Sequence, residues 1–376
     1  MHWSLQHKKT FVQSPTQVIQ KDFDGVAPNI FVGKAGYPHV QVGLLSTPHY
    51  QHHDNVPLWV QQRYSIDRIV QLRTSLLNAS FVHDAKQPQG YRVDLAQEIA
   101  MAHKPVDVEM HVSKQPVYSL QTTKDAIPHA VPVPLQRAFI TTNPKIIPYV
   151  ERMVADADVK AGDALQELHA KHIDEHHLTK LLSAGTLGVK RTLVPTRWSI
   201  TAVDDTLSKQ QLEKIKTYDT HDTAVYIGNY MGNYFLVCCF DRLFSYELFE
   251  MYVHDSAYTT DYESHAGRTS YAQQTAGGYY ACRLSVVQHL AHIKKQASVL
   301  VLRFITDEYH TPLGVWVVRQ AVRNAMQQPP IVFSDKELLV KFVKAYAQKK
   351  FSYDVCGLLK TSNVLHPKQK MLWEYG

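Results

Sequence analysis

The stretch AVYIGNYMGNYFLVCCFDRLFSYELFEMYV, residues 224–253, decides the fold class. It contains three apolar runs, at residues 224–228, 234–240 and 246–253, and each run has the length and residue types of a β-strand. The Gly and Asn residues at 228–233 are typical of a tight turn between antiparallel strands. The stretch therefore predicts three consecutive strands of an antiparallel meander.

Residues on the C-terminal side of the meander predict a compact αβα segment. After Gly277 and Gly278, helical spacing of apolar residues continues to Leu290, and an apolar strand follows at residues 299–305. A second helix is predicted at residues 315–325. We expect these elements to bury a shared apolar face.

Residues on the N-terminal side mix helices and strands. Alternation over residues 29–45 predicts two strands joined by a turn, and residues 106–112 alternate as a further strand. Helical spacing occurs at residues 60–77 and 91–102, and two further helices are predicted at residues 150–182.

A helix that ends at Lys216 is predicted just before the meander. Asp204 or Asp205 is expected at its N-terminal cap, because aspartate is a preferred capping residue. The predicted fold class is therefore α+β, with mixed helices and an antiparallel or mixed sheet. We expect an N-terminal region that packs with a smaller αβα C-terminal region.

The composition indicates an ordinary globular protein. The chain has 376 residues, of which 45% are hydrophobic and 20% charged, and no run approaches the roughly 18 uninterrupted apolar residues of a membrane span. Residues 1–10 lack the apolar segment of a secretory signal, and four cysteines are too few for a disulfide framework. We therefore expect a cytoplasmic protein without a membrane partner. The net charge of +6 permits contact with nucleic acid but does not require it.

Several blocks of sequence point to one family. They are DFDG at 22–25, IFVG at 30–33, GYP at 36–38, LLSAGTLG at 181–188, VPTRWSITAVDD at 194–205 and GGYYA at 277–281. These blocks resemble the archaeal Nre family of DNA-repair proteins, and the resemblance covers residues 22–323. It implies an N-terminal Nre-like domain at residues 1–260, a C-terminal Nre-like domain at residues 261–350 and a tail at residues 351–376.

The resemblance also implies DNA repair through the sliding clamp PCNA. The family carries a C-terminal clamp-binding motif, and this chain has QKMLWEYG at residues 369–376, which resembles a PCNA-interacting peptide. In such a peptide Gln369 seats its amide in a polar pocket, while a short 3₁₀ turn brings Leu372 and Tyr375 into a hydrophobic groove. Gly376 replaces the second aromatic residue of the motif, which is expected to weaken binding.

Carboxylates offer an alternative, enzymatic function. Asp204, Asp205 and Glu263 are expected to meet around Mg²⁺ if the two halves of the chain fold together, as in a metal-dependent nuclease. A nucleotide-processing enzyme that uses the Gly277–Gly278 region is a second form of this alternative. The same carboxylates are also typical of helix caps and of partners for arginine. Magnesium is the cofactor that the enzymatic alternative implies.

Zinc is not expected. The pattern HIDEH at residues 172–176 has two histidines at the spacing of a zinc-binding helix, but such a match arises readily in a chain with 21 histidines. Many members of the resembled family begin with a cysteine-rich zinc-binding motif, whereas residues 1–15 contain no cysteine. No residue is therefore predicted as a metal ligand for zinc.

A third set of residues suits the recognition of phosphates and bases. Arginine binds phosphate through paired hydrogen bonds, aromatic rings stack on bases, and glycines before a helix offer N–H groups to an anion. The candidates are Arg197, Trp198, Gly277, Gly278, Tyr279, Arg283 and Arg319. Alternatively, the aromatic rings lie in the core and the arginines pair with Asp204, Asp205 or Glu308. The sequence predicts a nucleoid-associated DNA-repair factor that contacts DNA or nucleotide phosphates, and it leaves open whether a reaction is catalysed.

Overall fold

The computed structural model describes residues 20–116, 120–121 and 126–367, and it confirms an α+β fold. The helices are α1 (Val56–Gln61), α2 (Ile66–Thr74), α3 (Tyr91–Met101), α4 (Pro148–Ala155), α5 (Ala161–Ala170), α6 (Glu175–Ser183), α7 (Thr196–Ile215), α8 (Ala276–His292), α9 (Trp316–Met326), α10 (Lys336–Phe351) and α11 (Cys356–Thr361). The strands are β1 (Asp22–Val32), β2 (His39–Thr47), β3 (Leu77–Asp84), β4 (Val106–Val112), β5 (Leu120–Gln121), β6 (His129–Ala130), β7 (Pro132–Ile140), β8 (Ala224–Tyr230), β9 (Asn233–Phe240), β10 (Ser245–Tyr252), β11 (Tyr258–Glu263), β12 (Ser298–Ile305) and β13 (Ile331–Val332). Within these described ranges, no helix is long and apolar enough to cross a lipid bilayer.

The chain divides into two compact units, unit 1 up to Val203 and unit 2 from Asp204 onward. Unit 1 is built around a closed barrel of five strands in the order β1, β2, β3, β7, β4. All neighbouring strands are antiparallel except β3 and β7, which are parallel. Strand β1 closes the barrel because its first part pairs with β4 and its second part pairs with β2. A shift of register between Val26 and Asn29 accompanies the change of partner.

Alternate residues of each strand fill the inside of the barrel. On β2, Val40, Val42 and Leu44 are buried, while His39 and Gln41 are exposed. Helix α3 follows β3 in the chain and packs its apolar residues into the same core. Each large aliphatic side chain buried here contributes roughly 1.5–3 kcal/mol relative to exposure. The alternation that predicted these strands is therefore the alternation between core and solvent.

Unit 2 contains a six-stranded sheet in the order β11, β10, β12, β9, β8, β13. Strand β12 is parallel to β10 and antiparallel to β9. The predicted meander is wrong at one connection, because β8 pairs with β9 but β12 separates β9 from β10. All eight residues of β12 are buried, and all but Ser298 and Arg303 are apolar, which favours the centre of a sheet that is covered on both faces.

Helices cover the two faces of this sheet. Tyr246 of β10 faces α8, where its ring centroid lies 4.9 Å from that of Tyr279. On the other face Phe304 of β12 stacks on Phe351 of α10, with ring centroids 4.5 Å apart. Helix α9 packs on β8 and β9 beside α8. The elements of the predicted αβα segment are thus present, and their strand is part of the larger sheet.

The predicted start of the helix before the meander is wrong. Helix α7 begins at Thr196, so Asp204 and Asp205 lie in its middle and cap nothing. The carbonyl of Pro195 accepts the N–H groups of Trp198 and Ser199 at 2.8 and 3.0 Å, which starts the helix eight residues before Asp204. Proline suits such a position because it has no N–H to leave unpaired.

Residues 148–183 form the three helices α4, α5 and α6, where two were predicted. Asp174 caps α6 by accepting the N–H groups of His176 and His177 at 2.8 and 3.0 Å. His172 lies before this cap with a φ of +64°, a left-handed backbone conformation that interrupts a helix. The HIDEH pattern therefore does not lie on one helix, and its two histidines do not share a helix face.

Three buried histidines, His53, His129 and His177, make unit 1 sensitive to acid, and burial lowers the pKa of His53 to about 4. Burial lowers the pKa of His129 from 6.5 to about 4, and burial with the charge of Lys180 lowers the pKa of His177 likewise. The unfolded chain therefore takes up these protons first, so stability is complete above pH 6.5 and is lost as the pH falls toward about 4. We expect the free energy of unfolding to fall by up to about 1.4 kcal/mol per pH unit for each histidine.

Urea unfolding of the whole chain at several pH values in this window measures the slope. Replacing His177 with glutamine keeps a polar side chain of similar reach and is expected to make the slope shallower. A slope that is the same in the parent and in the variant would contradict the assignment to His177.

Candidate functional site

The three carboxylates predicted as metal ligands are each bound to arginine. Asp204 is buried, and Nη1 of Arg319 in α9 lies 2.7 Å from both of its carboxylate oxygens. Glu263, at the end of β11, is buried and accepts a hydrogen bond from Nη1 of Arg283 at 2.7 Å. Asp205 accepts a hydrogen bond from Nη2 of the same guanidinium. The structure thus brings Asp205 and Glu263 together through one arginine, and it gives Asp204 a separate arginine.

Arg283 is the centre of this network. It is buried in α8, and its guanidinium carbon lies 5.6 and 5.3 Å from the ring centroids of Tyr279 and Tyr280. Burial alone lowers the pKa of Arg283, but the charges of Glu263 and Asp205 outweigh burial and raise that pKa above its ordinary value. Burial raises the pKa of the Tyr279 hydroxyl, and the charge of Glu263 adds to the effect. Arg283 therefore stays charged and Tyr279 neutral, as in a structural ion pair.

Most of the residues predicted to bind phosphate are buried in unit 2. These are Gly277, Gly278, Tyr279, Arg283 and Arg319. A Cβ atom at Gly278 would lie 2.2 Å from Oε1 of Glu250, and that oxygen accepts a hydrogen bond from Nη1 of Arg303 at 2.5 Å. The glycine is therefore needed for the close approach of α8 to β10. Their burial favours a structural role for these residues over contact with DNA.

Among the residues that the structure describes, no group of three or more His, Cys, Asp or Glu side chains is placed to hold a metal ion. The Mg²⁺ site predicted at Asp204, Asp205 and Glu263 stays a prediction. Each of these carboxylates already has an arginine as its counter-charge.

Arg197 and Trp198 have a different environment. They lie in the first turn of α7, in unit 1, and Trp198 is 42% exposed. Its ring centroid lies 5.3 Å from that of Tyr37, which is 45% exposed in the loop between β1 and β2. The N–H of Val32 donates a hydrogen bond to Oγ1 of Thr196 at 2.9 Å, which fixes the start of α7 to the end of β1.

Tyr37 was not predicted as a site residue. Its GYP block was recognised as part of a turn and as one of the blocks that resemble the family, but nothing in the local pattern indicates that the turn meets Trp198. Gly36 forms this turn with a φ of +78°, and its carbonyl accepts the N–H of His39 at 2.9 Å. An aromatic residue directly after a turn glycine was the available signal.

Glu247 is a second residue that sequence reasoning missed. It is fully buried on β10, and its carboxylate accepts hydrogen bonds from the segment that follows α11. The donors are Oγ of Ser362 at 2.6 Å, the backbone and side-chain N–H groups of Asn363, both at 3.0 Å, and the N–H of Val364 at 3.1 Å. The carbonyl of Leu365 accepts a hydrogen bond from Nζ of Lys336 at 2.9 Å. Residues 362–365 are therefore fixed to the body of unit 2.

Similarity to known families covers almost all of the sequence. A family model described as archaeal Nre, N-terminal, matches residues 4–259, and one described as archaeal Nre, C-terminal, matches residues 263–375. The chain belongs to the archaeal Nre family.

Three relatives of this Nre chain are named as DNA repair proteins. It is 33% identical over 377 residues to DNA repair protein NreB of Archaeoglobus fulgidus, across 96% of this chain and 94% of the relative. It is 34% identical over 350 residues to DNA repair protein NreA of Haloferax volcanii, across 86% and 83% of the two chains. It is 36% identical over 329 residues to DNA repair protein NreA of Archaeoglobus fulgidus, across 82% and 81%. No solved structure matches the chain.

The two matched regions of this Nre chain share the sheet of unit 2. Strands β8, β9 and β10 fall in the first matched region, whereas β12 and β13 fall in the second. A division at residue 260 would separate β12 from both of its neighbours. The domain limits 1–260, 261–350 and 351–376 stay a prediction.

The predicted clamp-binding residues of this Nre chain are Gln369, Leu372 and Tyr375. They lie outside the described residues, which end at residue 367. The fixed segment at residues 362–365 lies just before them in the chain, and the N–H of His366 donates a hydrogen bond to the carbonyl of Ser362 at 2.9 Å.

Proposed function

We propose that this protein is a DNA-repair factor that is recruited to DNA by the sliding clamp PCNA. The observation that carries the proposal is its similarity, over 96% of the chain, to a relative named a DNA repair protein. Two further relatives with repair names support the same role. The clamp contact is assigned to the peptide formed by Gln369, Leu372 and Tyr375.

Recruitment by a clamp fits the charge of the chain. The net charge is +6 over 376 residues, which is modest for a protein that works on DNA. Attachment to a clamp that encircles DNA raises the local concentration of the protein without strong intrinsic affinity for DNA. The same attachment places the protein at the nucleoid.

Calorimetric titration of the intact protein with its own clamp tests this proposal. We expect binding by the intact protein and loss of binding in the double variant Leu372→Ala/Tyr375→Ala, because buried anchors of this kind typically contribute about 2–4 kcal/mol at an interface. The double variant Met371→Ala/Glu374→Ala changes the same peptide at positions between the anchors and is expected to bind like the parent. Recruitment through the tail is refuted if the intact protein does not bind the clamp or if the two double variants bind the clamp equally well.

The enzymatic alternative has less support. Asp204 is held by Arg319, and Asp205 and Glu263 are held by Arg283. A metal ion would have to compete with these buried guanidinium groups for the same oxygens. We therefore do not propose a metal-dependent nuclease or a nucleotide-processing enzyme.

A further inference from the structure

The barrel of unit 1 has the strand order and directions of an OB-fold. Its order is β1, β2, β3, β7, β4, its one parallel pair joins β3 to β7, and α3 lies between β3 and β4 in the chain. In OB-folds the outer face of the second and third strands, with the loop before the second strand, binds oligonucleotides and oligosaccharides. Here that loop is residues 33–38, between β1 and β2. A fold alone does not specify a ligand, so the side chains at this place must decide.

Two half-exposed aromatic rings lie at this place. Tyr37 projects from the loop, and Trp198 reaches it from the first turn of α7, with ring centroids 5.3 Å apart. Large aromatic side chains usually bury most of their surface, yet these two are 45% and 42% exposed. We call Tyr37 and Trp198 the aromatic platform. Its rings can stack on bases that are not already stacked in a duplex.

The platform is held by hydrogen bonds among three backbone segments. The N–H of Ala85 donates to the carbonyl of Pro38 at 2.7 Å, and the N–H of Leu193 donates to the carbonyl of Ala85 at 2.8 Å. The hydrogen bond from Val32 to Thr196 fixes the helix that carries Trp198. The rings are therefore positioned before any ligand arrives, which reduces the entropy lost on binding.

Cations surround the platform. Lys34 is exposed in the same loop, Lys86 is exposed directly after the residue that contacts Pro38, and Arg197 precedes Trp198 in α7. Asp84, the register partner of His39, is an acid beside this loop, and its carboxylate accepts the N–H of Lys86 at 2.9 Å. An anionic polymer is therefore the ligand that the charges favour.

The adjoining outer face of β2 and β3 extends the surface. Gln41 is exposed on β2, and its register partner on β3 is Val82, which is 68% exposed. An exposed valine beside an exposed amide gives both an apolar contact and hydrogen-bonding groups for the edge of a base. The exposed surface therefore extends from the platform over the His39–Asp84 and Gln41–Val82 pairs, and it ends where the next pair, Gly43 and Ser80, is buried.

We propose that the aromatic platform and the β2–β3 face of unit 1 form a binding site for single-stranded DNA. The inference names the form of DNA that the protein contacts, and in that sense it rests on the proposed repair function. It does not require the clamp, because every residue of the site belongs to unit 1.

Fluorescence anisotropy with the full-length protein, a labelled oligothymidylate and no clamp tests the site. We expect salt-dependent binding that Trp198→Ala and Tyr37→Ala each weaken about tenfold or more, since stacking on one aromatic ring is worth about 1–3 kcal/mol and about 1.4 kcal/mol corresponds to a factor of ten. Trp198→Phe and Tyr37→Phe keep a ring and are expected to retain most of the affinity. Lys34→Ala is expected to reduce the dependence on salt by about one ion.

A second aromatic pair provides the matched control. Tyr91 and Phe139 are 55% and 44% exposed on the same barrel, with ring centroids 6.3 Å apart, but Phe139 pairs in register with Glu109. Phe139→Ala is therefore expected to leave DNA binding unchanged. Thermal unfolding of each variant separates loss of binding from loss of fold.

The outcomes are distinct. Loss of binding in Trp198→Ala, but not in Phe139→Ala or Trp198→Phe, supports the site. No binding by the parent, equal weakening by Trp198→Ala and Phe139→Ala, or tighter binding of duplex DNA or of RNA of equal length would overturn it. Clamp binding through the tail is measured separately, so a failure of this site leaves that result intact.

Discussion

Replacing Arg283 with methionine is expected to lower the free energy of unfolding by about 3–5 kcal/mol. The guanidinium is buried and binds Glu263 at 2.7 Å and Asp205 as well. Methionine fills a similar volume but leaves the carboxylate of Glu263 buried without its counter-charge. Removing one partner of a buried ion pair lowers the free energy of unfolding by far more than the intact pair contributes to it. The remaining charge is then buried with neither water nor a counter-charge beside it. Urea unfolding monitored by tryptophan fluorescence measures the loss.

Lys209 supplies the control at the exposed end of the same network. Its Nζ lies 2.7 Å from Oδ2 of Asp205, but the lysine side chain is largely exposed. Lys209→Ala should cost about 0.5 kcal/mol or less, as is usual for exposed pairs at this helical spacing. The double variant Glu263→Gln/Arg283→Met removes the orphaned charge and should recover part of the loss. If Arg283→Met and Lys209→Ala were equally stable, the buried network would have no special importance.

Replacing Glu247 with alanine is expected to lower the free energy of unfolding by about 3 kcal/mol or more, because hydrogen bonds to a buried charge are worth about 1.5–3 kcal/mol each. The carboxylate is fully buried and receives donors from Ser362, Asn363 and Val364. Without the carboxylate, the hydroxyl of Ser362 and the N–H of Val364 would remain buried and would lose their acceptor. The loss should therefore appear first where they lie, in the segment after α11.

Hydrogen exchange locates this effect. In Glu247→Ala the amides of Asn363 and Val364 are expected to exchange about a hundredfold faster, while those of β12 follow global unfolding. Glu213→Ala removes an exposed carboxylate that lies 3.0 Å from Nζ of Lys216, and it should change stability by less than about 0.5 kcal/mol. Unchanged exchange at Asn363 and Val364 would contradict an anchoring role for Glu247.

Local sequence patterns predicted most of the elements but not how the strands pair. Strand β2 was predictable because its sequence alternates in apolar character, and over residues 39–42 this matches an alternation between solvent and the barrel core. Closure of the barrel was not, since the pairing of Asn78 with Pro132 joins residues that are far apart in the chain. The insertion of β12 between β9 and β10 was also missed, although SVLVLRFI is apolar apart from Ser298 and Arg303, as is typical of a central strand.

The same difference between local sequence pattern and tertiary contact applies to the candidate site residues. The sequence identified residue types that suit DNA contact, but it could not show that Arg283 and Arg319 are buried against carboxylates. Arginine suits both contact with DNA and burial against a carboxylate, and only the tertiary contacts show which of the two occurs. Tyr37 was missed for the same reason. Its proposed role depends on its contact with Trp198, and the two residues are separated in the sequence by most of the barrel and meet only in the folded chain.

The anchoring of residues 362–365 limits how far a clamp that binds the tail as proposed can lie from unit 2. Leu365 is held by Lys336, and Gln369 is four residues further along the chain. Fully extended, four residues span at most about 14 Å. A clamp that binds the tail through Gln369 is therefore held within a short distance of unit 2, and its position relative to unit 2 can vary only a little. The protein would then turn with the clamp around the DNA axis, and it would sample only the stretch of DNA beside one edge of the ring.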